Sequence, residues 1–257
     1  MALNTAPSIA LLDPPVCASR CTNGVTVHLS DEVPDDQQLR VVLKHKDCVL
    51  ADVAMVGNGR RVVRVPFEAE EPCITTICVV NSDGETPEAS HVLPVLPPTA
   101  SEDIRQIFLR VVEVIKNSDV NFQAAYLELP VEQVSDGLDP LDQHIQEVAW
   151  KKNFQSLCED LGSLLELLWD RIEKDTTDTP IPTEMETSLH NVLVYLMGNG
   201  AWSIVAFLLE TCLQSGLPIA MDGEKLPISD LQSEHLKQLA DTVQMQQRNG
   251  DRQQPLA

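Results

Sequence analysis

Seven cysteines and six histidines are the side chains of this sequence best suited to metal binding or nucleophilic chemistry. Cys17-x3-Cys21 and Cys73-x4-Cys78 have spacings near those of zinc-ligand pairs, and His28 and His45 lie in the same half of the chain. Structural zinc pairs usually sit in short turns flanked by glycine or aromatic residues. Cys73-Ile74-Thr75-Thr76-Ile77-Cys78 reads instead as a strand, on which two thiols five residues apart point to opposite faces. The expectation is no metal and no cofactor. Zinc at Cys17/Cys21 or Cys73/Cys78 stays open as the lesser reading, which metal analysis of purified protein decides.

A cysteine nucleophile paired by folding with His28, His45 or His91 is the second chemistry these residues allow. No local motif supports it. The sequence holds no Gly-x-Gly-x-x-Gly, no Gly-Lys-Ser/Thr loop, no Gly-x-Ser-x-Gly and no His-Glu-x-x-His. The acid pairs Asp35-Asp36 and Glu70-Glu71 fall in turn signals and read as solvated loop charge. Trp150, Trp169 and Trp202 lie among apolar neighbours at helical spacing and read as core. No catalytic residue is nominated, and the chain is expected not to be an enzyme.

The elements that must position these residues fall into two halves. Val25-Thr26-Val27-His28-Leu29 alternates strictly, and 39–44, 48–56, 61–67, 73–80 and 91–96 are short runs rich in Val, Ile or Thr. Turn chemistry separates them, as in His45-Lys46-Asp47, Gly57-Asn58-Gly59 and Asn81-Ser82-Asp83-Gly84. Such spacing predicts a small antiparallel β-sandwich over residues 23–98, preceded by a flexible arm or edge segment over 1–22. Pro97-Pro98 ends it.

Helical spacing then takes over in a domain expected over 101–245. Ser101-Glu102-Asp103 reads as a helix start, and Ile104, Ile107, Phe108, Val111 and Ile115 share one face. Leu141, Ile145, Val148 and Ala149 mark another helix, and 161–172 a third with Gly162 as a potential break. The stretch 186–231 holds two apolar helices around Gly198-Asn199-Gly200. A last helix is read over 229–244, and 246–257 is expected to be disordered.

The net charge of -21 comes from 18 Lys+Arg against 39 Asp+Glu. So acidic a chain is repelled by phosphate backbones and anionic lipid, so no nucleic-acid partner is expected. The basic group Arg60, Arg61 and Arg64 reads as the polar face of a strand. No apolar run is long enough to span a bilayer, and the N-terminus lacks a basic start, so neither membrane insertion nor secretion is expected. With reduced thiols, this points to the cytoplasm, with the nucleus as the alternative.

The 186–231 stretch resembles an ankyrin repeat. Thr187-Ser188-Leu189-His190 is similar to its Thr-Pro-Leu-His opening, with Ser188 in place of proline. Asn199-Gly200 resembles its bend, and Ile204-Val205-Ala206-Phe207-Leu208-Leu209 its second helix. The order of sandwich, helices and ankyrin-like pair resembles the N-terminal regulatory region of the A-kinase-anchoring and neuronal Rho guanine-nucleotide exchange factors. It is also similar to the Dof/BCAP/BANK domain of immune-cell adaptors. The resemblance implies an α+β chain, an immunoglobulin-like sandwich followed by an ankyrin-like helical domain. It further implies a non-catalytic adaptor or scaffold module in signalling, with protein partners and self-association. The expected interaction surface comprises His190, Asn199, Trp202, Asp222, Glu224 and Lys225. The alternatives are a transcriptional regulator acting through protein contacts, and a cysteine-dependent enzyme without a recognisable motif.

Overall fold

The computed structural model describes residues 7–33, 38–56, 61–81, 90–118, 140–176 and 182–216. The chain is α+β, with antiparallel sheets followed by helices. Eight strands come first: β1 Ile9–Asp13, β2 Cys17–Ala18, β3 Cys21–Leu29, β4 Gln38–His45, β5 Cys48–Val56, β6 Val62–Ala69, β7 Cys73–Asn81 and β8 Ser90–Leu96. They form one sheet of order β1-β3-β6 and another of order β2-β8-β7-β4-β5, every pairing antiparallel except β2 with β8. Strands of the two sheets lie against each other, β5 and β4 near β6 and β2 near β3, an arrangement compatible with a β-sandwich.

Alternation explains the core. Val25, Val27 and Leu29 of β3, Leu39, Val41 and Leu43 of β4, Ile77 and Val79 of β7, and Leu93 and Val95 of β8 are all buried. Thr75 shares the Ile77 face, and its buried Oγ1 donates to the Leu93 carbonyl at 2.7 Å, a bond that satisfies the hydroxyl inside the core. Both strand prolines sit where no ladder donor is needed. Pro66 is on the edge strand β6, and β2 pairs with β8 only at Val95 and Leu96, one residue past Pro94.

Of the two readings of the N-terminus, residues 9–13 take the edge segment. Residues 9–13 are not a flexible arm but the edge strand β1, with Ile9, Ala10, Leu11 and Leu12 all buried. A run of four apolar residues without alternation signals a strand covered on both faces, and helices supply the second cover. The helices are α1 Pro98–Ser118, α2 Pro140–Ala149, α3 Gln155–Glu173, α4 Thr183–Gly198 and α5 Trp202–Gln214, with one π-helical turn, Trp150–Phe154, between α2 and α3.

Helix α1 starts at Pro98, three residues before the Ser101 signal. Proline at a first helical position loses no bond, because that N–H would be unpaired anyway. The Ser101 N–H donates to the Pro97 carbonyl at 2.9 Å, and its Oγ donates to Pro98 O at 2.8 Å. Gly162 does not break α3, which is continuous through it.

Two compact units divide the chain at Glu159/Asp160, inside α3, and not at 98–101 as the sequence pattern suggests. The reason is cover. Helix α1 packs on β2 and β8, while α2 and the π-turn pack on β1, so these helices belong to the first unit together with the sheets. Phe108 of α1 and Phe154 of the π-turn meet edge-to-face, with ring centroids 4.9 Å apart. No helix among the described residues is long and apolar enough to cross a membrane.

Candidate interaction surface

The helix pair α4–α5 carries the described part of the predicted surface. Pro182 precedes α4 and Glu184 and Glu186 occupy its first turn, where carboxylates favour the positive helix end. The other end closes on a glycine-dependent cap. Gly200 has φ +69°, its N–H donates to Met197 O at 3.0 Å, and the Ala201 N–H donates to Leu196 O at 3.0 Å. These two bonds are the paired closure of a Schellman motif, and the buried Ala201 and Leu196 make its apolar contact positions. Helix α5 then buries Ile204, Val205, Leu208, Leu209, Thr211 and Cys212, leaving only Glu210 and Gln214 exposed along its length. A helix apolar on most sides is an inner element and not a surface one.

The three predicted residues that are described, His190, Asn199 and Trp202, do not gather into one patch. Asn199 ends α4, and its Nδ2 donates to Tyr195 O at 2.8 Å, so its side chain caps a helix. Trp202 opens α5 three residues later and is half-buried. His190 is also half-buried, but lies eight residues before Gly198, roughly 12 Å along the helix axis at 1.5 Å per residue. Asp222, Glu224 and Lys225 lie outside the described residues.

The cysteines offer poor nucleophiles where they are buried. Burial pushes the thiols of Cys17 and Cys212 up to about 12 and that of Cys73 to about 11. Cys158 and Cys78 are raised by the same cause. A thiol held protonated at neutral pH is a poor nucleophile. Cys73 and Cys78 alternate on β7 as strand geometry requires, and among the described residues no group of three or more His, Cys, Asp or Glu is placed to hold a metal ion. Of the basic group, Arg61 donates through Nη2 to the Ser30 carbonyl, and the Arg64 guanidinium lies across Gly24, within 2.8 Å of where a Cβ would stand.

A second set of polar residues was not singled out as a group by the sequence. His28, His91 and Trp150 are 2%, 7% and 1% exposed. Both ring nitrogens of His28, Nδ1 of His91, Nε1 of Trp150 and Oε1 of Gln146 are buried without a protein hydrogen-bond partner. Arg61 Nε is a further such atom, and buried polar atoms are normally paired, so five such residues in one unit call for a physical account. Their signal in the sequence was faint: a histidine inside a strictly alternating strand, and a tryptophan after an amphipathic helix.

No protein-family model and no curated protein matches the chain.

Proposed function

We propose that this chain is a non-catalytic protein-interaction module of intracellular signalling, an immunoglobulin-like sandwich joined to an ankyrin-like helix pair. The observation that carries the reading is the α4–α5 pair, two helices closed by a Gly200-dependent turn with an almost wholly apolar second helix. Units of this kind serve as stacked layers that present an outer surface to other proteins. The raised thiols of Cys17, Cys73, Cys158 and Cys212 make those four cysteines poor candidates for the nucleophile of the cysteine-dependent alternative.

The test pairs solution mass with cross-linking. Sedimentation equilibrium of the full chain, with cross-linking mass spectrometry, should give a self-associated species or a stable complex whose cross-links fall on α4. Replacing the exposed Asn191 of α4 by Arg should weaken that association at least tenfold. A strict monomer with no α4 cross-links would count against the reading. So would one cysteine that outpaces the others with a thiol probe at neutral pH.

A further inference from the structure

We propose that the segment of α2 and the π-turn, Pro140–Phe154, is a pH-responsive clasp on the sheets, held closed by neutral His28 and His91 and released when they take up protons.

The two histidines come from different sheets and meet the same segment. His28 is on β3, opposite Leu11 of β1 and Val62 of β6. It falls on the face away from Val25, Val27 and Leu29, so the sandwich interior does not bury it. Cover comes from the helical side: α2 and the π-turn pack on β1, and the charge of Glu147 on α2 reaches the ring. His91 is on β8, opposite Ile77 of β7. Its ring lies edge-on to Trp150 of the π-turn, with centroids 6.3 Å apart and planes at 61°. His91 shares the buried face of Leu93 and Val95, and the helical segment adds Trp150 to its cover, while the same segment reaches His28 through its packing on β1 and the Glu147 charge.

Neither seal is built for an imidazolium. His28 Nδ1 and Nε2 and His91 Nδ1 have no hydrogen-bond partner in the protein, so a proton added there gains no acceptor while the charge loses water. The charged groups whose fields reach His28 are Asp13 of β1 and Glu147 of α2, and for His91 the group is Glu159 of α3. These carboxylates favour the proton, but burial is the larger effect and holds both imidazoles below their ordinary value of 6.5. A π-turn at the point of contact fits a segment able to rearrange, since such turns recur at functional positions in helices.

The sign follows from the depressed values. Above pH 6.5 both closed and open forms carry neutral rings, and the clasp keeps its full stability. As pH falls, the open form binds protons from solvent first. The closed form loses ground until the pH passes its own lower pKa values. Each histidine can raise the opening equilibrium by about tenfold per pH unit inside that window.

Hydrogen exchange of the full chain at pH 7.5 and 5.5, corrected for the intrinsic pH dependence of exchange, tests this. Peptides from 140–154 should open by at least tenfold at the lower pH, with peptides from 183–214 little changed. H28Q/H91Q, whose side chains do not titrate, should lose the difference. No change in 140–154, a uniform change over the whole chain, or a response that persists in H28Q/H91Q would overturn the proposal. If that variant does not fold at pH 7.5, ring-nitrogen resonances of the unaltered protein decide. Both rings should titrate below 6.5, and a midpoint at or above that value for either ring rejects the clasp.

Discussion

Gly198 and Gly200 stand two residues apart and do different work. Gly198 is the last residue of α4, exposed, with nothing within 4 Å of where a Cβ would stand. Its substitution by alanine removes unfolded-state freedom without a clash and should stabilise the chain by about 0.5–1 kcal/mol. Gly200 also has open space around it, but its φ of +69° is the left-handed conformation that a side chain resists. Gly200→Ala should destabilise by about 1–2 kcal/mol. Urea midpoints of the two variants check both signs, and equal shifts in one direction would mean that the Schellman closure does not control this turn. The Gly-Asn-Gly bend was legible because glycine marks such caps. The capping role of Asn199 was not, because a polar residue in a bend reads equally well as a surface contact.

Among the elements, β1 is where the two N-terminal readings, flexible arm and edge segment, part. A flexible arm could be removed at little cost, whereas an edge strand that buries Ile9 to Leu12 could not. Deleting residues 1–13 should leave β3 with an open edge and strip apolar cover from the π-turn. Each fully buried aliphatic side chain contributes about 1.5–3 kcal/mol, so losing four residues of this run exceeds the 5–15 kcal/mol margin of a typical domain or consumes much of it. Thermal melting and gel filtration should find an unfolded or aggregated chain, and a monomer with an unchanged melt would restore the arm. The strands from β3 onward were readable to within a few residues, as with 48–56 against β5 Cys48–Val56, whereas β2 Cys17–Ala18 was not read. Alternation between polar and apolar residues is a local property and survives without knowledge of the partner strand. Four consecutive apolar residues carry no such period, and the helices that cover them lie more than 80 residues downstream.

For the whole molecule, the charge of -21 sets the long-range field. That field repels duplex DNA, and Arg61 of the basic group donates to the Ser30 carbonyl. A gel-shift titration at roughly 50 mM salt should detect no retention of DNA, where proteins that contact phosphates bind most strongly. Salt-sensitive binding there would revive a regulator that touches DNA directly. The division at Glu159/Asp160 is the other whole-molecule feature, and the composition change at Pro97-Pro98 did not reveal it. That change marks where strands give way to helices. It does not mark where packing ends, because α1, α2 and the π-turn close over the same sheets.

The sequence by itself determined the α+β order, the central strands, the bend at Gly198-Asn199-Gly200 and the sign of the electrostatic field. All of these depend on residue type and short-range period. Only the tertiary structure decided that β1 is core, that Asn199 caps a helix, and that His28 and His91 are buried. Period tells which face of a strand a residue occupies. What covers that face depends on residues far away in the chain, and for His28 and His91 that cover makes buried, neutral rings of histidines that the sequence offers as ordinary bases.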